Sequence, residues 1–186
     1  MTKARTILGI DPGTNLLGFG IVRVDEAGHP SFVDMGVLDL RKEKDAYVKL
    51  QAIYDCISQV CKSYHPDELA IESPFYGKNA QVVLKLGRAQ GAAIIAALES
   101  GVASVTECAP RKAKEAIVGN GAASKEQVQL MLEKTLGVQL AAEHLDATDA
   151  LAIALCHHYE TSNPLSSVKG KGGWEQFLKD HPDRIQ

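Results

Sequence analysis

Apolar and polar positions fall into short, clearly bounded blocks along this chain. Thr6–Ile10 is an almost continuous apolar run and predicts a buried strand; Gly18–Val24 predicts a second and Ser31–Leu40 a third. Turn-forming residues separate them, first Asp11-Pro12-Gly13-Thr14 and then Glu26-Ala27-Gly28-His29-Pro30, so the three strands predict an antiparallel meander. Asp45–Tyr64 then changes to a helical period, with Leu50, Ile53, Ile57 and Val60 or Cys61 on one face, and Pro66-Asp67 breaks it. Glu68–Ile71 predicts a short buried strand ending at Glu72, and Asn79–Ser100 a long helix closed by Gly101. A fifth strand over Val102–Thr106 follows, then helices over Arg111–Val118, Lys125–Leu136 and Leu145–Tyr159, the first two stopped by glycines. The chain has no internal repeat.

This order implies an α/β layer fold, with helices flanking a five-stranded mixed sheet whose first three strands are antiparallel. Residues 1–160 are expected to form one domain, which is length enough for a real core. After Tyr159 the character changes: Ser-Ser, Gly170 and Gly172-Gly173 predict a flexible tail over 161–186, with Trp174, Phe177 and Leu178 as a short apolar anchor. Hydrophobic residues make up 45% and charged residues 23% of the chain, a globular composition. No run of about 18 apolar residues predicts a membrane span, and the N-terminus enters a strand without signal-peptide features. Cys56, Cys61, Cys108 and Cys156 form no CxxC pair, which predicts reduced, mostly buried thiols and a cytoplasmic location.

Four carboxylates change the picture. Asp11 follows the first strand, Glu72 ends the fourth, and Asp146 and Asp149 lie three apart in HLDATDALAIA, on one face of the last helix. Each sits at the edge of an apolar run, where a solvated acid is out of place. Each alone has a structural explanation: Asp11 as a turn residue, Asp146 and Asp149 at a helix start, Glu72 in an ion pair. Together they predict a cluster. If the strands of Asp11 and Glu72 are neighbours, both acids emerge at one sheet edge, and the last helix can bring the other pair to it. Such a set suits Mg²⁺, with Mn²⁺ as a substitute. Two ions per site could activate a water and stabilise a leaving oxygen in phosphodiester hydrolysis.

The formal net charge of −3 does not suggest nucleic-acid binding, but its distribution does. Ser73–Leu98 contains no acid, while Lys78, Lys85 and Arg88 lie within it. Arg111, Lys112, Lys114 and Lys125 form a second basic group.

The segments GIDPGT, AIESPFYGKNA, LKLGRAQG, AIVGNGAASKEQV and DATDALAIA, in this order and spacing, resemble RuvC-type Holliday junction resolvases from about Ile7 to His158. The resemblance implies a ribonuclease H-like fold, a homodimer, and Mg²⁺-dependent symmetric nicking of opposed strands in four-way junction DNA. It also implies the RuvA–RuvB branch-migration complex as a partner. Asp11, Glu72, Asp146 and Asp149 match the family's catalytic acids. Phe75 and Tyr76 match the aromatic tip inserted at the junction centre, where rings can stack on unpaired bases. Lys114 and Lys125 match basic positions near the scissile phosphate. Lys78, Lys85, Arg111 and Lys112 are looser candidates for backbone contacts, which position DNA without reading its sequence. Gly87 and Gly91 lie mid-helix among Val83, Leu84, Leu86, Ile94, Ile95 and Leu98, and the family's two-fold involves this region. Other readings are an actin- or Hsp70-like ATPase, for which 186 residues are too few, a related nuclease acting on structured RNA, and a junction-binding scaffold without catalysis.

Overall fold

The computed structural model describes residues 3–74, 79–140 and 145–162. Five strands, β1 (Arg5–Asp11), β2 (Leu16–Val24), β3 (Pro30–Asp39), β4 (Glu68–Glu72) and β5 (Ser104–Cys108), form one sheet in the order β3-β2-β1-β4-β5. The pairs β1–β2 and β2–β3 are antiparallel, and β1–β4 and β4–β5 are parallel, so the expected mixed sheet with its meander is present. The helices are α1 (Ala46–Tyr64), α2 (Ala80–Glu99), α3 (Pro110–Val118), α4 (Lys125–Leu136) and α5 (Leu145–Ser162).

The strand period of two sorts side chains onto two faces. Ile7, Val22, Ala70 and Cys108 pack beneath α3, α4 and α5. Leu8, Ile10, Ile21, Leu69 and Ile71 pack beneath α1 and α2. The same alternation assigns Asp11 and Glu72 to the α5 face. Asp11 lies four residues after Ile7, and Glu72 two after Ala70.

Local chemistry explains most boundaries. Asp45 caps α1 by accepting from the backbone of Tyr47 and Val48, and Asn79 caps α2 by accepting from Gln81 N. Ser124 and Gln127 form a reciprocal capping box at α4, which ends on Gly137 in the left-handed conformation.

Several boundaries shift by a few residues, β2 beginning at Leu16 instead of Gly18 and β5 ending at Cys108 instead of Thr106, and two of the differences have a visible cause. β5 begins at Ser104 instead of Val102, because its pairing with β4 starts at Glu68–Ser104, while Val102 N donates to Ala97 O in α2 and Ala103 N donates to Asp67 O just before β4. α5 runs to Ser162, past both its expected end at Tyr159 and the expected domain edge at 160. The Arg5 guanidinium donates to Thr161 Oγ1 at 2.7 Å, and that hydroxyl donates to His157 O at 2.8 Å, which holds the last turn. The predicted tail from 163 onward lies outside the described residues.

α5 is the central helix. From Ala147 to His158 every residue is buried except Asp149. A helix apolar on all sides is stable only when covered on all sides, and here the sheet lies beneath it and α3 and α4 flank it. Glycines on the sheet let it approach. A Cβ at Gly9 would lie 2.0 Å from Ala150 O, and one at Gly18 would lie 2.1 Å from Asp146 O. Neither clash could be relieved by a side-chain rotation, because the obstacle is backbone.

α2 has two apolar faces. Ala89, Ala93, Ala96 and Ala97 face the sheet. Leu84, Ile95 and Leu98 on the other side are 58%, 51% and 45% exposed, and Gly87 and Gly91 have open space beside them. By length and composition α2 could cross a membrane, contrary to the expectation that no segment would. That apolarity is the sum of a sheet-packed alanine face and an outward aliphatic face, and Lys85 and Arg88 interrupt it. All four cysteines are free thiols, and three are buried, as expected.

Candidate active site

The acids come from three elements. β1 ends with Asp11, β4 ends with Glu72 one strand away in parallel register, and the first two turns of α5 carry Asp146 and Asp149. Asp11, Asp146 and Asp149 each offer an oxygen, all within 4.8 Å of one another. Glu72 stands outside that tight triad. It shares with Asp11 and Asp149 a cleft of about 270 Å³, floored by Val128, Ala152 and Ile153 and rimmed by Lys114 and Lys125.

The acids suppress one another's ionisation. Burial pushes the Asp11 carboxyl up to about 8, and the charges of Glu72, Asp149 and Asp146 push the same way against Lys125. Burial raises Glu72 to about 7, with Asp149 adding to it and Lys125 and Lys114 opposing. A cluster of acids that resists its own negative charge is one that a cation would stabilise. Oxygen donors at this spacing fit a hard divalent ion better than a soft one.

Part of the missing charge is supplied by a side chain. Lys125 Nζ sits 2.5 Å from Asp149 Oδ2 and 3.8 Å from Asp146 Oδ1. Burial works against its ammonium form, but the hydrogen bond to Asp149 and the charges of Asp149, Asp146 and Asp11 outweigh that and raise its pKa. Lys125 is the first residue of α4, and the capping box at Ser124 fixes the direction from which it enters.

The remaining predicted residues divide by location. Lys114 lines the acid cleft and donates to Ala123 O at 2.9 Å, which ties α3 to the start of α4. The Lys112 ammonium is held by Glu160 on the α3–α5 surface. Arg111 lies against Gly121, where a Cβ would come within 2.5 Å of its Cγ. Lys85 borders a different cleft, between α1 and α2. Phe75, Tyr76 and Lys78 lie outside the described residues.

One residue of this site went unnoticed in the sequence. Gln90, 7% exposed on the alanine face of α2, donates to Glu72 O at 3.3 Å and to Glu107 Oε1 at 3.1 Å. It satisfies the carbonyl of the residue that carries the fourth acid. The available signal was a lone amide among alanines on a buried helix face, in the segment GRAQG.

The chain matches the family model described as crossover junction endodeoxyribonuclease RuvC over residues 7–157. It is 50% identical to the crossover junction endodeoxyribonuclease RuvC of Christiangramia forsetii, covering 100% of this chain and 95% of the relative. It is 46% identical to that of Cytophaga hutchinsonii, covering 100% and 90%. Among solved structures, Thermus thermophilus RuvC in complex with Holliday junction substrate superposes with a TM-score of 0.77 at 33% identity, covering 84% of this chain and 94% of that one. A ribonuclease H-like sheet that carries converging acids and a full-length match at this identity lead to one conclusion: the chain belongs to the RuvC family of crossover junction endodeoxyribonucleases.

Proposed function

We propose that this chain is a homodimeric Holliday junction resolvase that nicks opposed strands of four-way DNA junctions by Mg²⁺-dependent phosphodiester hydrolysis. The observation that carries this reading is the convergence of Asp11, Asp146 and Asp149 within 4.8 Å, next to a cleft that Asp11, Asp149 and Glu72 share with Lys114 and Lys125. The superposition on a relative captured with junction DNA supports the substrate.

Asp11, Asp146 and Asp149, with Glu72 beside them, would hold the metal. Bound divalent cations supply activation of the attacking water and neutralisation of charge on the phosphate. The protein does the rest. The sheet edge fixes Asp11 and Glu72, and the buried body of α5 fixes Asp146 and Asp149, so the ligands keep their places when the ions change. Lys125 pairs with Asp149; with a divalent cation held by the acids, its ammonium would be placed to contact a phosphate oxygen. Lys114 lines the same cleft. Phe75 and Tyr76, by their place after Glu72 in the motif, would enter the junction centre, and Lys78, Arg111 and Lys112 would make outer backbone contacts.

The outward face of α2 supports the two-fold. Leu84, Ile95 and Leu98 are exposed, and Gly87 and Gly91 allow close approach of a second helix. A C2 dimer presents one cleft to each of two equivalent strands. The RuvA–RuvB partnership and a cytoplasmic location follow from the family resemblance and the DNA substrate. The nuclease domain over 1–160 and the C-terminal tail over 161–186 remain part of this proposal, with α5 itself extending to Ser162.

The test is incubation of a labelled four-way junction with Mg²⁺ and with EDTA. Paired nicks at symmetric positions are expected with Mg²⁺ alone. Absence of such nicks would sink the reading, and faster cleavage of structured RNA than of the junction would favour the RNA-directed alternative.

A further inference from the structure

At the end of the sheet where the acids lie, but on its other face, α1 and α2 both begin. The turn that leaves Asp11 crosses to them. Between them is a cleft of about 290 Å³, bordered by Lys44, Lys49, Lys85 and Arg88 and by the turn residues Thr14 and Asn15. We infer that this cleft is a second DNA-strand subsite, which holds backbone phosphates flanking the cut on the sheet face opposite the acids. The inference rests on the nuclease reading given above.

Among the described residues, four cations border the cleft and no acid does. Two acids are adjacent in sequence, but each is turned to backbone. Glu43 Oε1 accepts from Lys44 N and Asp45 N, and Asp45 Oδ1 accepts from Tyr47 N and Val48 N. Their oxygens are thus turned to backbone N–H groups at the helix start instead of to the four cations. Lys85 and Arg88 are exposed, and among the described residues no ion pair engages Lys44, Lys49, Lys85 or Arg88. Tyr47, 76% exposed, adds a ring at the rim, where it can lie on a base or sugar. Cations along a groove with an aromatic beside them suit a nucleic-acid strand.

The placement relative to the cut is fixed. Lys49 Nζ donates to Thr14 O at 2.8 Å and Asn15 Oδ1 at 3.2 Å. Asn15 is four residues from Asp11, so the two backbones are at most about 14 Å apart. At roughly 3.4 Å of rise per nucleotide, that bound puts the near edge of the cleft, at Asn15, within about four nucleotides' length of Asp11. Lys49 works as the hinge pin of this arrangement, while Lys44, Lys85 and Arg88 are available to the strand.

The experiment measures junction affinity in EDTA across a salt series, on the full-length protein. Each lost phosphate contact lowers the slope of log affinity against log salt by about 1. The double variant Lys85→Gln/Arg88→Gln is expected to lower the slope by about 2 and weaken affinity at low salt by about tenfold or more. Tyr47→Ser should weaken affinity with the slope unchanged. Lys62→Gln, at the far end of α1, is the control for general field and should change neither. An unchanged slope in the double variant, or an equal loss in Lys62→Gln, overturns the subsite while leaving the nuclease reading intact. A wild-type protein that binds no junction overturns both.

Discussion

Replacing Asp11 by asparagine should make the metal-free protein more stable at alkaline pH while abolishing cleavage. Asp11 is half-buried beside Glu72, Asp146 and Asp149, and its carboxyl is raised from 3.8 to about 8. A displacement of that size corresponds to on the order of 5 kcal/mol resisting ionisation. The sign follows from proton counts. Between about pH 4 and pH 8 the folded protein holds a proton on Asp11 that the unfolded chain has released. Stability therefore falls as pH rises through this window, and the full loss is present above about pH 8. Glu72, raised to about 7, adds to the same trend up to its own pKa. Asparagine has the shape of the protonated acid and no charge to bury, so the loss attributable to Asp11 disappears. Relaxation of the site and the nearby Lys125 reduce the recoverable part to roughly 2–3 kcal/mol. At about 2–4 °C per kcal/mol for a chain of this size, Asp11→Asn should raise Tm by roughly 4–12 °C at pH 9 in EDTA. At pH 5 the gain should be small. Thermal unfolding at pH 5, 7 and 9, with EDTA and with saturating Mg²⁺ or Mn²⁺, reads all of this. Divalent cation should stabilise the wild type most at pH 9 and the variant little, while the variant still binds a four-way junction. Equal stabilisation of both proteins by Mg²⁺, or a variant less stable than wild type at pH 9 in EDTA, would refute the reasoning.

Three other outcomes follow from the geometry. Gly18→Ala places a Cβ 2.1 Å from Asp146 O, so α5 must lift off the sheet; a stability loss of at least about 1–3 kcal/mol and a loss of Mg²⁺-induced stabilisation are expected, and wild-type metal response would contradict the close-approach argument. Gln90→Met keeps volume but removes both donors to Glu72 O and Glu107; it should cost about 1–3 kcal/mol in chemical denaturation and lower kcat roughly tenfold with KM for the junction little changed, whereas a change in KM alone would reduce Gln90 to a packing residue. Ile95→Glu on the exposed face of α2 should yield a monomer by sedimentation equilibrium under conditions where wild type is a dimer, and an unchanged mass would remove α2 from the interface.

Much of the site was legible because its logic is local and periodic. The strand period places Asp11 and Glu72 on the same face as Ile7 and Ala70, and the spacing of Asp146 and Asp149 puts both on one side of a helix. The turn and cap residues Asp45, Ser124 and Gly137 mark helix limits that the structure keeps. These are properties of single segments, and one segment's sequence is enough to state them.

What only the tertiary structure decided concerns distances between segments. The parallel register of β1 and β4 sets Asp11 and Glu72 side by side, and the closeness of α5, permitted by Gly9 and Gly18, sets how near Asp146 and Asp149 come. No periodicity announces that Lys125 enters among the acids, that Lys112 is taken by Glu160, or that Gln90 reaches the Glu72 carbonyl. Nor does it separate the two apolar faces of α2, since a helix pattern records burial but not what buries it. The physical reason is range: propensity and period act over a few residues, whereas the fields that raise Asp11 and Glu72 arise from groups more than 60 residues apart in the chain and a few ångströms apart in space.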